Sequence, residues 1–206
     1  MDKFLNLPVE KQNAVIDAAL KSFGINGYKK ASASDIAAAA GISKAMIFHY
    51  FGTKKALYLY LLNYCGSIMI KEIRENFDNT VTDFFDRIRL SSSIKIAVLK
   101  RHPALFLFIK SAYFEMDETV SDHVKALYLG SEGEAFRNKI AFNGTDTFKF
   151  KDGVDLTLVM KMLVWQAEGF MNQFSREAEI DMESFCKEYF QCMELLKKNL
   201  YKEEYL

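Results

Sequence analysis

Residues 32–57 read SASDIAAAAGISKAMIFHYFGTKKAL, and this stretch decides the fold. Ser32 and Ser43 are each placed to cap a short helix, because a serine hydroxyl accepts hydrogen bonds from the first free backbone N–H groups. Between the two helices lies Gly41, which can adopt the positive φ that a sharp turn requires. Two short helices joined by a tight glycine turn predict a helix-turn-helix.

On both sides of this motif, apolar residues recur at intervals of three and four, which is the spacing of helices. A first helix is predicted from Pro8 to Gly24 or Gly27, and Thr53 is predicted to cap a long helix that continues to about Phe77. Further helices are predicted over 84–101, from 103 onward, over 120–141 with a bend at its glycines, over 154–174 and over 181–201. The chain is therefore predicted to be all-α, with about nine helices and no strand.

Composition agrees with this prediction. Only two prolines and ten glycines occur in 206 residues, which suits long helices better than a sheet with many turns. Net charge is zero, yet residues 1–55 contain eight lysines and four acidic residues, whereas residues 56–206 contain 19 basic and 23 acidic residues. A positive N-terminal segment on a negative remainder is the charge distribution that a DNA-binding head needs.

Several other classes of protein are disfavoured. The three cysteines do not form a C-x-x-C pair, which argues against a disulfide framework or a metal site and fits a reducing cytoplasm. The N-terminus lacks the apolar run of a signal peptide, and the most apolar stretch, 156–165, is too short to span a bilayer. His102 and His123 have no partners at ligand spacing. No catalytic triad or phosphate loop is visible, so we predict neither an enzyme nor a cofactor.

The sequence resembles the TetR-type transcriptional repressors over about residues 8–60. Phe23 and the pair Gly27–Tyr28 fall where that family has them, and the resemblance is strongest in three segments: Asp35–Ala37, Ala40–Lys44 and His49–Leu57. It implies a three-helix, helix-turn-helix DNA-binding head over residues 1–55. Residues 56–206 are then expected to form a helical bundle for effector binding and dimerisation.

The resemblance also implies which residues contact DNA. Lys54 and Tyr50 match family positions that contact the phosphate backbone, and Lys44 is expected to reach a phosphate or a guanine edge. Where the family has Gly-Thr-Leu-Tyr, this chain has Ala45-Met46-Ile47-Phe48, so two hydroxyls that often bind phosphate are missing. Phe48 is expected either at the DNA or in the core. The candidate base readers are Ser34, Ala45, Met46 and His49.

The remainder is rich in aromatic and methionine side chains, which predicts an adaptable apolar cavity between helices. By resemblance, the pocket is expected at Tyr64, Ile88, Phe106, Tyr113 and Trp165, with an apolar or aromatic effector. Glu168 either selects a cationic ligand or is a solvated or interface carboxylate. The last two helices are expected to pair with their copies in a homodimer through Leu163, Gln166, Phe170, Phe185, Tyr189 and Met193.

The predicted function is a ligand-responsive transcriptional regulator that binds palindromic operator DNA as a dimer and is released by its effector. An activator, or a repressor that needs its ligand as corepressor, stays open, because the sign of coupling depends on small differences between states. A helical small-molecule carrier or interaction scaffold without DNA regulation is the alternative from another class.

Overall fold

The computed structural model describes residues 2–176 and 181–206, which form eleven α-helices and two short 3-10 turns. The helices are α1 (Asp2–Leu5), α2 (Val9–Lys30), α3 (Ala33–Ala39), α4 (Lys44–Phe51), α5 (Lys54–Asn76), α6 (Phe84–Arg101), α7 (Pro103–Tyr113), α8 (Ser121–Leu129), α9 (Ser131–Phe142), α10 (Leu156–Arg176) and α11 (Met182–Leu200). Over the described residues, the extended pairing is limited to a single bridge between Phe150 and Tyr201. The predicted all-α class is confirmed.

Two helices exceed the predicted nine. The short helix α1 forms ahead of Pro8, where the sequence shows no periodic signal. The single helix predicted over 120–141 is divided into α8 and α9 at Gly130, whose N–H still bonds to the Ala126 carbonyl while its own ψ of 168° is extended. A similar break occurs inside α2, where Gly27 has φ 68° and ψ 173°, so the chain leaves helical geometry where the prediction ended the helix.

The chain forms two compact units, each with its own apolar core. The N-terminal unit comprises Met1–Asn76 with Lys95–Glu134, and the C-terminal unit comprises Phe77–Ile94 with Ala135–Leu206. These units follow packing within the chain. The predicted division at residue 55 concerns function, and it stays a prediction.

In the N-terminal unit, α2 packs closely along α7. The backbones approach so tightly at Gly24 that an added Cβ would lie 2.9 Å from the carbonyl carbon and Cβ of Leu107. The Ser111 hydroxyl donates to the Phe23 carbonyl at 3.1 Å, and the Phe23 and Phe108 rings meet with their centroids 6.3 Å apart. This contact fixes α2, on which the helix-turn-helix rests, against α7.

The C-terminal unit contains a shielded ionic cluster beside an aromatic core. The Asp83 carboxylate lies 3.1 Å from the Lys197 ammonium and 3.4 Å from the Lys149 ammonium. Burial alone would raise the pKa of Asp83, but the Asp86 N–H and these two lysines outweigh it, and the net pKa is lowered. The start of α6 is thereby held to the end of α11.

Over residues 2–176 and 181–206, no helix combines the length and apolar character needed to cross a bilayer.

Candidate nucleic-acid interface

The predicted helix-turn-helix is formed by α3 and α4, and its two serine caps are in place. The Ser32 hydroxyl accepts from the N–H groups of Ser34 and Asp35 at 3.1 and 3.4 Å, and the Ser43 hydroxyl accepts from the Met46 N–H at 3.3 Å. Gly41 has φ 68°, as the sharp turn was expected to require. The caps and the turn together fix where each helix begins.

Three buried apolar side chains keep the two helices from moving independently. Ile36, Ala37 and Ile47 are almost fully excluded from solvent within the core of the N-terminal unit. A backbone hydrogen bond of 2.9 Å from the Ile42 N–H to the Ala37 carbonyl closes the turn between them. Such a rigid pair presents the outer face of α4 in one defined orientation, which is what reading a groove requires.

Most of the predicted DNA-contacting side chains lie on that outer face. Phe48 is 38 % exposed, and its position on α4 therefore places it at the surface rather than in the core. Met46 is half-buried, and Tyr50 is buried on the inner side of α4. Of the other five, Lys54 at the start of α5 is half-buried, and four are solvent-exposed, one on α3 and three on α4: Ser34, Lys44, Ala45 and His49.

Tyr50 is buried because the unpredicted helix α1 covers the back of α4. The Phe4 ring is fully excluded from solvent and lies against Tyr50, Phe51 and Tyr60, at centroid distances of 5.9, 4.7 and 5.6 Å. The Gln12 side-chain amide anchors the end of α1 by donating to the Leu5 carbonyl at 3.0 Å. A single aromatic residue far from the motif therefore supports the helix expected to read DNA.

The N-terminus of α5 lies directly after α4 and is capped as predicted. The Thr53 hydroxyl accepts from the Ala56 N–H at 3.0 Å. Free N–H groups in the first turn of a helix attract phosphate, since they combine donors with the positive end of the helix dipole. Lys54 occupies this turn, but its ammonium donates to the backbone carbonyls of Tyr28, Lys29 and Ala31. Its phosphate contact stays a prediction.

The five residues expected around the effector do not all belong to one unit. Tyr64, Phe106 and Tyr113 are half-buried side chains of the N-terminal unit. Ile88 is buried in the C-terminal unit, and Trp165 on α10 of that unit is 57 % exposed. Their role as a pocket stays a prediction.

A cavity of about 430 Å³ lies elsewhere in the N-terminal unit, between α5 and the α8–α9 junction. Its lining offers apolar and polar surface in similar amounts and comprises Leu59, Leu62, Asn63, His123, Ala126, Leu127, Gly130, Ser131 and Glu132. None of the five predicted pocket residues lines it. Helical periodicity predicts that the leucines of this lining are on apolar helix faces. It does not predict where α8 ends, and the end of α8 leaves the space against α5.

Most of the residues expected at the dimer interface pack against other residues of the same chain. Leu163, Tyr189 and Met193 are buried in the core of the C-terminal unit, and Gln166 donates to the Tyr189 carbonyl at 3.3 Å. Phe170 and Phe185 are half-buried and pack edge to face, 4.9 Å apart. A part in an interface stays a prediction for all six.

None of the three cysteines takes part in a disulfide bond. Burial raises the pKa of the Cys65 thiol to about 12, so it stays protonated and unreactive at neutral pH. Cys186 and Cys192 are half-buried on α11. In the part of the chain that the structure describes, no group of three or more histidine, cysteine or carboxylate side chains could hold a metal ion.

Comparison with known proteins adds to this geometry. Residues 15–61 match the sequence model for "Bacterial regulatory proteins, tetR family". The HTH-type transcriptional regulator BetI of Agrobacterium fabrum is 45 % identical over 49 residues, and this alignment covers 24 % of this chain and 24 % of BetI. The similarity to that curated relative is therefore confined to about a quarter of its length.

Solved structures extend the likeness to the whole fold. A TetR family transcriptional regulator from Chloroflexus aurantiacus superposes with a TM-score of 0.73 at 20 % identity, covering 98 % of this chain and 99 % of that one. The transcriptional regulator FadR from Bacillus subtilis, solved in complex with stearoyl-CoA, gives 0.69 at 19 % identity, covering 88 % and 96 %. At this level of identity the likeness shows a shared fold.

Proposed function

Because the chain belongs to the tetR family of bacterial regulatory proteins, we propose that it is a ligand-responsive transcriptional repressor. In this proposal it binds palindromic operator DNA as a homodimer and is released by a small apolar or aromatic effector. The observation that carries the proposal is the rigid helix-turn-helix, whose outer face exposes Lys44, Phe48 and His49 while its inner face is locked into the core.

DNA recognition follows from the side chains on α4 and the backbone at the start of α5. Lys44 supplies a cation for a phosphate or a guanine edge, and His49 can donate to or accept from a base edge. Ala45 and Phe48 offer apolar surface suited to thymine methyl groups. The first turn of α5 offers backbone N–H groups to a phosphate on the flanking strand.

A homodimer would place two such heads about one DNA turn apart, roughly 34–36 Å, so that both enter the major groove on one side of the duplex. The side chains of Leu158, Met162 and Trp165 support this assembly, because they are exposed and their spacing puts them on one face of α10. We propose that a second copy of the chain covers this face, next to the predicted interface residues. Trp165→Glu should then shift the protein from dimer to monomer in multi-angle light scattering.

The proposed effector site is a cavity within the body. The space between α5 and α8 has the size of a small-molecule site, and its lining offers apolar and polar surface in similar amounts. Release requires that the effector prefer the DNA-free state, by roughly 1–3 kcal/mol for a typical allosteric coupling. The stearoyl-CoA bound to the Bacillus subtilis FadR makes a long-chain acyl-CoA one reasonable probe.

The test is a selection of duplexes from a random-sequence library with the full-length protein, followed by fluorescence anisotropy on the enriched sequence. We expect a palindromic site, a complex containing two protein chains and affinity that falls steeply with salt. A panel of apolar compounds, aromatic compounds and stearoyl-CoA should contain a ligand that raises the melting temperature and weakens the complex. Ligand binding without enrichment of any duplex would refute the repressor and favour the small-molecule carrier.

A further inference from the structure

The segment from Gly27 to Ala31 connects the kink of α2 to the first helix of the helix-turn-helix. Two charged side chains hold it, one from α5 and one from the loop after α7. From α5, the Lys54 ammonium donates to the carbonyls of Tyr28, Lys29 and Ala31 at 2.9, 3.2 and 3.2 Å. An ammonium has three N–H donors, so these carbonyls use its full capacity. The ammonium also lies 4.7 Å from the centroid of the Tyr28 ring.

From the other side, the loop after α7 supplies a carboxylate. The Glu115 Oε2 accepts from the Tyr28 N–H at 2.8 Å, and its Oε1 accepts from the N–H groups of Met116 and Asp117, both at 3.0 Å. Glu115 is therefore fixed to its own loop by one oxygen and to Tyr28 by the other. The segment is thus held on two sides: its carbonyls accept from Lys54 of α5, and its Tyr28 N–H donates to Glu115 of the α7–α8 loop.

The charges around the segment favour this arrangement over a free cation. Hydrogen bonds from Thr119 lower the pKa of Asp117 most, and the nearby charges of Lys29 and Lys54 lower this pKa further. Burial raises the pKa of the Tyr28 hydroxyl, and Asp117 and Glu115 add to this rise. The Lys54 ammonium is therefore bonded to three carbonyls and is close enough to Asp117 for the two charges to interact.

We propose that Lys54 and Glu115 form a clamp that positions the helix-turn-helix, and that Lys54 acts as a positioning residue rather than as a phosphate contact. This inference rests on the proposed DNA-binding function. The clamp fixes residues 28–31, and these residues set the start of α3. Lys44, which is exposed and lies on the outer face of α4, is the cation that meets the phosphate backbone.

Salt dependence separates the two roles of Lys54. Removing one phosphate contact lowers the slope of log Kd against log salt by about 0.9 for B-DNA. Because the proposed dimer carries two copies of each contact, Lys44→Ala should lower this slope on the selected duplex by about 1.8. Lys54→Ala should instead weaken binding about tenfold at every salt concentration and leave the slope unchanged, since a looser clamp disturbs geometry and not ion release. A slope that falls by about 1.8 in Lys54→Ala, as for the loss of two phosphate contacts, would overturn the proposal.

Glu115 provides a second variant that does not depend on Lys54 variants folding. Removing an anion near a DNA-binding surface should strengthen DNA binding on charge alone, so Glu115→Ala tests the sign of the effect. The clamp predicts weaker binding for Glu115→Ala and intermediate binding for Glu115→Gln. The glutamine amide oxygen can still accept from the Tyr28 N–H, but its NH2 group cannot replace the oxygen that accepts from Met116 and Asp117. Tighter binding by Glu115→Ala would contradict the clamp.

Hydrogen exchange of the free protein tests the clamp without DNA. The Tyr28 amide should exchange at least tenfold faster in Glu115→Ala than in the wild type, with Glu115→Gln intermediate or native. Unchanged exchange would show that Glu115 does not hold this segment. If the wild-type chain enriches no duplex, the proposed function fails and the positioning role fails with it, whereas a changed Lys54 slope on an enriched duplex would refute the clamp alone.

Discussion

Replacing Gly24 with alanine tests whether the close contact between α2 and α7 is as tight as the structure shows. An added Cβ would lie 2.9 Å from three atoms, the carbonyl carbon and Cβ of Leu107 and the backbone nitrogen of Phe108. Carbon atoms in favourable contact lie about 3.5–4.0 Å apart, so the helices would have to separate by roughly 0.5–1 Å. All three atoms belong to the backbone or its first carbon and cannot rotate away.

The expected free-energy change combines two opposing effects. Overpacking a tight contact costs about 1–3 kcal/mol, whereas alanine is favoured over glycine inside a helix by about 1 kcal/mol. Gly66, in the middle of α5, is the matched control, because a Cβ there would meet nothing closer than the Leu127 Cδ1 at 3.9 Å. The gain in helix propensity is common to both variants, so their difference in stability isolates the overpacking cost.

Urea denaturation followed by circular dichroism measures this difference. We expect Gly66→Ala to be more stable than the wild type, and Gly24→Ala to be less stable than Gly66→Ala by about 1–3 kcal/mol. In thermal melts of a chain of this length, each kcal/mol corresponds to roughly 2–4 °C. If the two variants were equally stable, the inferred contact between α2 and α7 would be refuted.

Three further predictions concern separate features of the molecule. Phe4→Ala removes a fully buried ring from beneath α4 and should lower the free energy of unfolding in urea by on the order of 3 kcal/mol, with Phe4→Leu losing much less. Equal stability of the two variants would contradict the support that the Phe4 ring gives to α4. Asp83→Asn should destabilise at pH 7. The pKa of Asp83 is lower in the folded protein than the unfolded value of about 3.9, so the ionised carboxylate stabilises the fold fully above that value. This stabilisation is lost as the pH falls through the folded pKa. The denaturation curves of variant and wild type should therefore converge in acid and stay apart above about pH 5. Ala126→Trp should fill the cavity and abolish the ligand-induced rise in melting temperature while operator affinity stays native; an undiminished rise would place the effector elsewhere.

The helix-turn-helix could be predicted because its signals are local. Ser32, Ser43 and Thr53 each cap a helix that begins within three residues, and the hydroxyl can be matched to those N–H groups from the sequence alone. Gly41 marks the turn through its own backbone conformation. Such features depend on neighbours a few positions away, which a single sequence displays directly.

Other features depend on partners that are distant in the sequence. Phe4 is buried by residues of α4 and α5, so nothing near the N-terminus indicates that α1 forms. Lys54 matches a family position, yet its bonded carbonyls lie 23 to 26 positions earlier. A motif fixes the type of residue, whereas the packing of α2 against α5 decides whether its charge faces DNA or the protein.

The apolar stripe on α11 shows why the interface residues are harder to predict from sequence than the helix-turn-helix. Tyr189 and Met193 recur at helical spacing, as residues of a dimer interface would, but both are buried within their own unit. Periodicity shows that a helix has an apolar face and does not show whether the same chain or a second copy covers it. On α10, Leu158, Met162 and Trp165 repeat the same spacing and stay exposed, which is why we propose that a second copy of the chain covers this second stripe. If Trp165→Glu left the protein dimeric, the pairing surface would have to lie on other helices, and the expected spacing of the two DNA-binding heads would change with it.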